Sequence, residues 1–429
     1  MADSFFRNRV RWLLIFWMFA ISGISYLDRV NISIASGFVQ REFHISDIQL
    51  GWVFSAFLIG YTLFQTPAGR LADRFGPRRI VMLGTIWWGI FTALTAAVPA
   101  GIPGLLFVLM ALRFALGAGE AVVYPASNRL VANWIPSLER GLANGCIFSG
   151  VGVGAGITPP LVTYIVSNYG WRYSFWASAV IGLAAGAVWF WLARDRPEAH
   201  PWVTAQETAL IERGLPEPAA ELEIGKALPW RIILGSKDVR AIALSYFAYG
   251  YAAWIFFAWF FKYLNEVRGL DLKASSYYAM LPFLAMATCS PLGGWISDLL
   301  TRRYGKRIGR CGVAVAGIAL AAVFIALGTQ VESARLASVV LAGGAGALYL
   351  SQSSFWSVTA DMAGASAGSV SGVMNMGGQI GGAVTASLTP WIAHHFSWTA
   401  SFLVAAGLCA AGSLLWLTVN PETKLDRLS

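Results

Sequence analysis

GRLADRFGPRR, residues 69–79, is a short charged stretch between two long apolar segments, at 49–67 and 80–99. Its first glycine permits close approach of helices. Asp73 can accept hydrogen bonds from helix N-terminal amides and from an arginine on a neighbouring helix. The stretch is therefore predicted to be a loop that ties one end of a helical bundle together.

A weaker copy of this stretch occurs later in the chain. GWISD, residues 294–298, leads into basic pairs at 302–303 and 306–307. Asp73 and Asp298 are 225 residues apart and occupy the same place in each half of the chain. Repetition at this scale predicts two similar bundles that face a central site and rock to expose it to either side. We expect the two stretches to form a cytoplasmic latch that breaks when the protein opens inward.

The composition is that of a chain dissolved in lipid. Hydrophobic residues make up 57% and charged residues 12% of the 429 positions, whereas soluble domains carry about a quarter charged residues. This balance argues against a soluble enzyme, a disordered chain and a collagen-like fibre. Twelve apolar runs can cross a hydrocarbon layer ~30 Å thick, near 12–38, 49–67, 80–99, 103–127, 141–165, 173–193, 239–264, 277–297, 310–328, 335–357, 368–393 and 398–418.

One long polar segment separates these runs into two sets of six. We predict an all-α integral membrane protein with twelve transmembrane helices. Its parts are an N-terminal six-helix bundle at 1–194, a cytoplasmic linker at 195–237, and a C-terminal six-helix bundle with a short cytoplasmic tail at 238–429. The first run continues past any cleavage site into Asp28 and Arg29, so we expect an uncleaved helix and not a signal peptide.

The charge of the chain is mainly a topology signal. There are 31 basic and 22 acidic residues. With a cytoplasmic N-terminus, 23 basic residues fall inside, 6 fall outside and 2 fall within spans. This bias predicts that both termini are cytoplasmic, and no nucleic-acid partner is expected. The four cysteines are scattered without CxxC or histidine at metal spacing, so we expect no disulfide, metal site or cofactor.

Four charged residues lie deep inside predicted spans, where each costs several kcal/mol unless it faces a cavity or a partner. Asp28 and Arg29 lie in the first span, and Arg113 and Glu120 lie in the fourth. The last two share a helix face, with ~10.5 Å between their α-carbons. Arginine suits a carboxylate, and a buried acid can carry a proton. Either an anion and proton site or ion pairs between the first and fourth helices would explain them.

The second half has no comparable charge at this depth. Its spans instead hold neutral polar side chains, namely Gln352, Ser353, Ser354 and Ser357 in the tenth and Asn375 and Gln379 in the eleventh. This asymmetry indicates that the first half handles the charge of an anion and the coupling chemistry. The second half would then read the hydroxyl groups of the substrate.

The two charged stretches and the six-plus-six layout resemble the major facilitator superfamily over essentially the whole chain. Within it, YLDRVN at 26–31, Arg113 with GEAVVYPA at 119–126, and WIP at 134–136 with ERG at 139–141 are similar to the anion:cation symporter family. That family includes bacterial proton-coupled galactonate, glucarate and hexuronate transporters, and the animal sialin and vesicular glutamate carriers.

The resemblance implies roles by position. Arg29 would bind the substrate carboxylate, Asp28 and Glu120 would be the protonatable pair, and Arg113 would tune Glu120. The full expected substrate-binding set is Arg29, Tyr61, Arg113, Gln352, Ser353, Trp356 and Asn375. The expected cytoplasmic gate is Asp73, Arg74, Arg78, Asp298 and Arg302. For Tyr61 and Asn375, plain helix packing is the alternative.

We therefore expect a secondary active transporter that takes up a small organic anion with protons by alternating access. The expected substrate is a sugar acid such as a hexonate or hexuronate, and the expected setting is a monomer in the bacterial inner membrane. An anion uniporter or exchanger, or a carrier of another carboxylate (aromatic acid, dicarboxylate, amino acid), remains open because the same arginine would serve. No enzyme is expected, since no catalytic constellation appears, and no signalling domain is expected.

Overall fold

A computed structural model of the protein describes residues 9–215, 228–260 and 263–425, and the regular structure of these residues is helical. The middle of the predicted linker and both chain ends lie outside this part. The first set of long helices is α1 (Val10–Phe43), α2 (Asp47–Phe75), α3 (Pro77–Ala97), α4 (Leu105–Glu120), α5 (Val123–Trp134), α6 (Arg140–Tyr169) and α7 (Trp171–Leu192). The second set is α8 (Lys237–Ala258), α9 (Leu272–Tyr304), α10 (Val313–Gln330), α11 (Ala334–Ala363), α12 (Ala367–His395) and α13 (Trp398–Leu415).

Ten stretches of the described chain are long and apolar enough to cross a membrane. One of them, Ala334–His395, includes both α11 and α12, and α2 is not among the ten. With α4 and α5 counted as one broken segment, the described residues form twelve long helical segments, which is the number predicted. The cytoplasmic location of the two termini stays a prediction.

The fourth predicted span is broken next to Glu120. Helix α4 ends at Glu120 and α5 begins at Val123. Pro125 has no N–H to donate to the carbonyl of Ala121, so the regular hydrogen-bond ladder is interrupted there. The break places the carboxylate of Glu120 at a helix end in the interior of the bundle.

The stretch 69–79 is not the loop that the sequence predicted. Helix α2 continues to Phe75, and α3 begins at Pro77, so only Gly76 separates them. Gly76 has a φ of +84°, a conformation that side-chain-bearing residues seldom adopt. In the same way α9 continues to Tyr304. Asp73 and Asp298 therefore lie on rigid helix ends.

The linker lies against one end of the bundle, which we call the linker end. Glu207, in the short helix Ala205–Gly214, is fully buried and accepts hydrogen bonds from the backbone N–H groups of Val10 and Arg11, both at 3.1 Å. A carboxylate in this position satisfies free amides and the helix dipole of α1. The linker thus caps the first transmembrane helix.

The two sets of helices meet most extensively along two helix pairs, α2 with α12 and α6 with α9. The backbones approach so closely that a Cβ on Gly69 would overlap the carbonyl of Gly368, and one on Gly145 would overlap the carbonyl of Ser290. Glycine is required at these contacts because no side chain fits between the helices. These pairs frame the centre of the protein.

Candidate functional site

Arg29 and Glu120 form an ion pair in the interior of the first set of helices. The Nε of Arg29 in α1 donates to Oε2 of Glu120 in α4 over 2.9 Å, and Glu120 is fully buried. The guanidinium also lies 4.3 Å from the ring centroid of Tyr61 and 4.8 Å from that of Tyr26. A carboxylate and aromatic faces thus surround the cation. Glu120 pairs across helices with Arg29, not along α4 with Arg113.

Asp28 and Arg113 are buried nearby, and most of their polar side-chain atoms have no hydrogen-bond partner in the described chain. Each residue is 2% exposed. Among the described residues, neither carboxylate oxygen of Asp28 accepts a hydrogen bond, and neither Nε nor Nη1 of Arg113 donates one. The Arg113 guanidinium packs 5.0 Å from the ring centroid of Phe57. A buried charge without a partner costs several kcal/mol, so these groups are expected where a proton or an ion moves.

A cavity of about 50 Å³ lies beside this cluster, between the two sets of helices. Tyr26 lines the cavity and also contacts Arg29, so its ring separates the cavity from the ion pair. The volume suits one or two water molecules, and a six-carbon acid requires the walls to move apart. The lining residues are Tyr26, Tyr124, Phe148, Val151, Tyr246, Tyr249, Gly250, Ala253, Trp254, Phe257, Tyr349, Gln352, Asn375, Gly378 and Gln379.

Two of the expected second-half contacts line this cavity. The Nε2 of Gln352 donates to the hydroxyl of Tyr246 over 2.9 Å. The Nδ2 of Asn375 donates to Oε1 of Gln65 over 2.9 Å, a bond between α12 and α2. Both amides therefore have their N–H₂ groups engaged by protein.

The other expected contacts lie just outside the lining. Trp356 is fully buried, its ring centroid is 4.9 Å from that of Phe148, and its Nε1 donates to the hydroxyl of Tyr246 over 3.3 Å. The hydroxyls of Ser353 and Tyr61 are buried without a partner in the described chain. Trp356 packs against the lining residue Phe148, and contact of any of the three residues with a substrate requires the cavity to widen.

Sequence reasoning missed most of the aromatic lining. Tyr246 and Tyr249 stack in parallel, with ring centroids 5.0 Å apart, and Tyr349 packs beside Tyr249 at 6.0 Å. The spacing of Tyr246 and Tyr249, three residues apart in a helix, places them on one face and was the available signal. Gln65, the partner of Asn375, carried no such signal because a single polar residue in an apolar helix has many explanations.

Asp73 and Asp298 each bind the start of a helix in the opposite half. Asp73 accepts hydrogen bonds from the backbone N–H groups of Gly368 and Ser369, at 2.9 and 2.7 Å. Asp298 accepts from the backbone N–H groups of Gly141 and Leu142, also at 2.9 and 2.7 Å. The two halves are thus joined twice at the linker end by the same interaction, a carboxylate at a helix N-terminus.

The arginines near Asp73 and Asp298 differ in whether they contact the opposite half. Arg310 donates to Asp298 over 2.6 Å, and Arg302 donates to the carbonyl of Leu138 in the opposite half over 3.4 Å. Arg74 stacks on neighbouring Phe75. Arg78 donates from its Nε to the carbonyl of Phe190 over 2.9 Å and from its backbone N–H to Asp195. Within the described chain, Arg74 and Arg78 therefore contact their own half.

A further ion pair crosses between the halves at the same end. Arg140, the first residue of α6, donates to Asp361 of α11 over 2.5 Å, and both side chains are buried. Lys306 lies 3.2 Å from the other oxygen of Asp361. Asp361 escaped the sequence analysis because nothing in its surroundings repeats. The linker end is closed in this structure.

Comparisons with known proteins agree with this architecture. A model of the Major Facilitator Superfamily matches residues 18–386. The chain is 33% identical to a probable sulfoacetate transporter, SauU, of Cupriavidus necator, over 98% of this chain and 96% of that protein. It is 30% identical to the hexuronate transporter of Bacillus subtilis, over 94% of this chain and 92% of that protein.

A second Bacillus subtilis relative, the probable galactarate/D-glucarate transporter GudP, is 31% identical over 69% of this chain and 67% of that protein. Among solved structures, the proton:xylose symporter XylE bound to 6-bromo-6-deoxy-D-glucose superposes with a TM-score of 0.75. That match covers 97% of this chain and 98% of XylE at 15% identity, and it shows a shared fold.

Proposed function

The chain belongs to the major facilitator superfamily, whose members are membrane transporters and not enzymes, and we propose that it takes up a small organic anion with protons. The proposed substrate is a sugar acid such as a hexonate or hexuronate, carried by alternating access. Relatives of the chain are named as transporters of hexuronate, of galactarate or D-glucarate, and of sulfoacetate. These activities support an organic anion as the substrate.

One observation carries the proton coupling: the buried cluster holds two arginines and two acids. With both Asp28 and Glu120 ionised, the charges of Arg29 and Arg113 are cancelled. Adding a substrate carboxylate would then bury a net negative charge, which costs several kcal/mol. Protonation of one acid leaves a net positive charge that the carboxylate neutralises. The cluster therefore favours proton and anion together over either alone.

Glu120 is the acid that we propose for this exchange. Its carboxylate accepts a hydrogen bond from Nε of Arg29. Protonation of Glu120 would weaken this ion pair and free the guanidinium for the substrate carboxylate. Asp28 would be the second proton site, and Arg113 would set the proton affinity of both acids. Tyr61 would contact the substrate from α2. Asn375, Gln352, Ser353 and Trp356 would form the wall that reads its uncharged part.

The closed linker end defines the proposed starting state. Protonation and binding would occur from the opposite end, which the basic-residue bias predicts to be external. The helix-end contacts of Asp73 and Asp298 and the Arg140–Asp361 pair would then break. The two bundles, 1–194 and 238–429, would rock about the centre and release substrate and proton into the cytoplasm.

The test uses purified protein in proteoliposomes with radiolabelled D-galactonate or D-glucuronate. Glu120→Gln is expected to exchange substrate across the membrane but not to accumulate it in a pH gradient, because the amide mimics the protonated acid. Glu42→Gln is the matched control, since Glu42 pairs with Arg172 near the surface; it should accumulate normally. Gradient-driven accumulation by Glu120→Gln would overturn the coupling, and pH-independent accumulation by the wild type would indicate a uniporter or exchanger.

A further inference from the structure

The central cavity presents two hydrogen-bond acceptors without partners. Oε1 of Gln352 and Oε1 of Gln379 are buried and accept no hydrogen bond within the described chain, and both residues line the cavity. In this orientation the Nε2 of Gln352 donates to the hydroxyl of Tyr246. Buried acceptors left open in this way are costly unless a ligand or water donates to them. The wall formed by α11 and α12 therefore requires donors.

The same wall offers no cation to a second anionic group among the described residues. The residues that line the cavity in the described chain include no lysine, arginine or histidine. The N–H₂ group of Asn375 is engaged by Gln65. The rings of Tyr246, Tyr249 and Tyr349 cover much of this side, and the face of an aromatic ring is electronegative. An anion there would meet amide oxygens, ring faces and neutral donors such as the Tyr249 hydroxyl, but no cation to balance its charge.

We propose that Gln352 and Gln379 make the transporter selective for monocarboxylates whose far end donates hydrogen bonds, and that they exclude dianions. The inference rests on the proposed function, in which Arg29 holds the carboxylate. The polyol chain of an aldonate would then lie over the tyrosine rings, with hydroxyl groups donating to the two amide oxygens. An aldarate has a second carboxylate in that place, and sulfoacetate is also a dianion.

This selectivity separates the chain from two of its relatives. Those relatives are named as transporters of galactarate, D-glucarate and sulfoacetate, all of which carry two acidic groups. A second carboxylate that faces acceptors without a cation should weaken binding about 100-fold or more. The loss arises at the far end of the substrate and leaves the Arg29 end unchanged.

Matched ligand pairs test the proposal directly. D-Gluconate and D-glucarate differ only at carbon 6, and so do D-galactonate and galactarate. Dissociation constants for both pairs and for sulfoacetate are measured by calorimetry on the full-length protein. We expect each aldonate to bind at least about 100-fold more tightly than its aldarate. Equal binding within a pair, or tighter binding of sulfoacetate, would overturn the selectivity while the transport proposal stands. Failure of all these acids, and of D-glucuronate added as a further ligand, to bind would overturn both.

Two variants test whether Gln379, on the wall formed by α11 and α12, causes the selectivity against dianions. Gln379→Lys places a cation there and should reduce the aldonate-to-aldarate ratio by at least about tenfold. Gln379→Met keeps the length but removes the acceptor, and it should weaken aldonate binding without improving that of aldarate. An unchanged ratio in a folded Gln379→Lys protein would remove Gln379 from the site. The Met variant gives an answer if the lysine variant does not fold.

Discussion

The Arg140–Asp361 pair is expected to hold the linker end closed. It is buried and spans 2.5 Å between α6 of the first half and α11 of the second. Asp361→Asn keeps the shape but removes the charge. Arg140 then retains its bonds to the carbonyls of Ala132 and Ile135, at 2.9 and 3.2 Å, which belong to its own half. Only the inter-half contact is lost.

The loss of this single contact sets the expected change in the free energy of the closed state relative to the open state. A hydrogen bond to a charged group contributes about 1.5–3 kcal/mol, and the Lys306 contact to Asp361 lies within the second half, so it persists on opening. The closed state should therefore lose about 2 kcal/mol relative to the open state. This corresponds to a shift of about 30-fold in the equilibrium between them.

Pulsed electron paramagnetic resonance can measure that shift. Spin labels at the exposed positions Arg79 and Arg303, in a variant without the native cysteines, report the distance between the halves at the linker end. Asp361→Asn should add a longer distance to the distribution. Arg172→Gln is the control, because it breaks a 2.6 Å pair with Glu42 inside the first half and should leave the distances unchanged. An unchanged distribution in Asp361→Asn would show that the pair contributes no net closing energy.

Three further outcomes concern the linker and the helix contacts. Burial lowers the pKa of His200 below 6.5, so the unfolded chain binds a proton at a higher pH than the folded chain does. The melting temperature should therefore drop on acidification below about pH 6.5. The drop should be smaller in His200→Gln. Glu207→Ala removes the cap of α1 and should cost about 1–2 kcal/mol, seen as a lower melting temperature, whereas exposed Glu212→Ala should not. Gly69→Ala should force α2 from α12 and lower melting temperature and transport, while Gly156→Ala, with open space at its Cβ, should not.

Much of the fold could be read from local pattern. Lipid selects about 20 apolar residues for each crossing, so composition and run length alone predict the helices and their number. Boundaries were less accessible, because helices continue beyond the hydrocarbon layer as long as their backbone is hydrogen-bonded. That is why Asp73 lies on α2 and not in a loop. The break of the fourth span near Pro125 was also not predicted.

The sequence by itself identified Asp28, Arg29, Arg113 and Glu120 as charged side chains within predicted spans, where such groups are costly in lipid. Only the tertiary structure decided their pairing, since Glu120 is equally near Arg29 or Arg113 until the angle between α1 and α4 is known. It also decided which atoms stay unsatisfied. The Oε1 atom of Gln352 stays open while the hydroxyl of Tyr246, on α8, holds the N–H₂ group, and such contacts between distant helices leave no pattern along a chain.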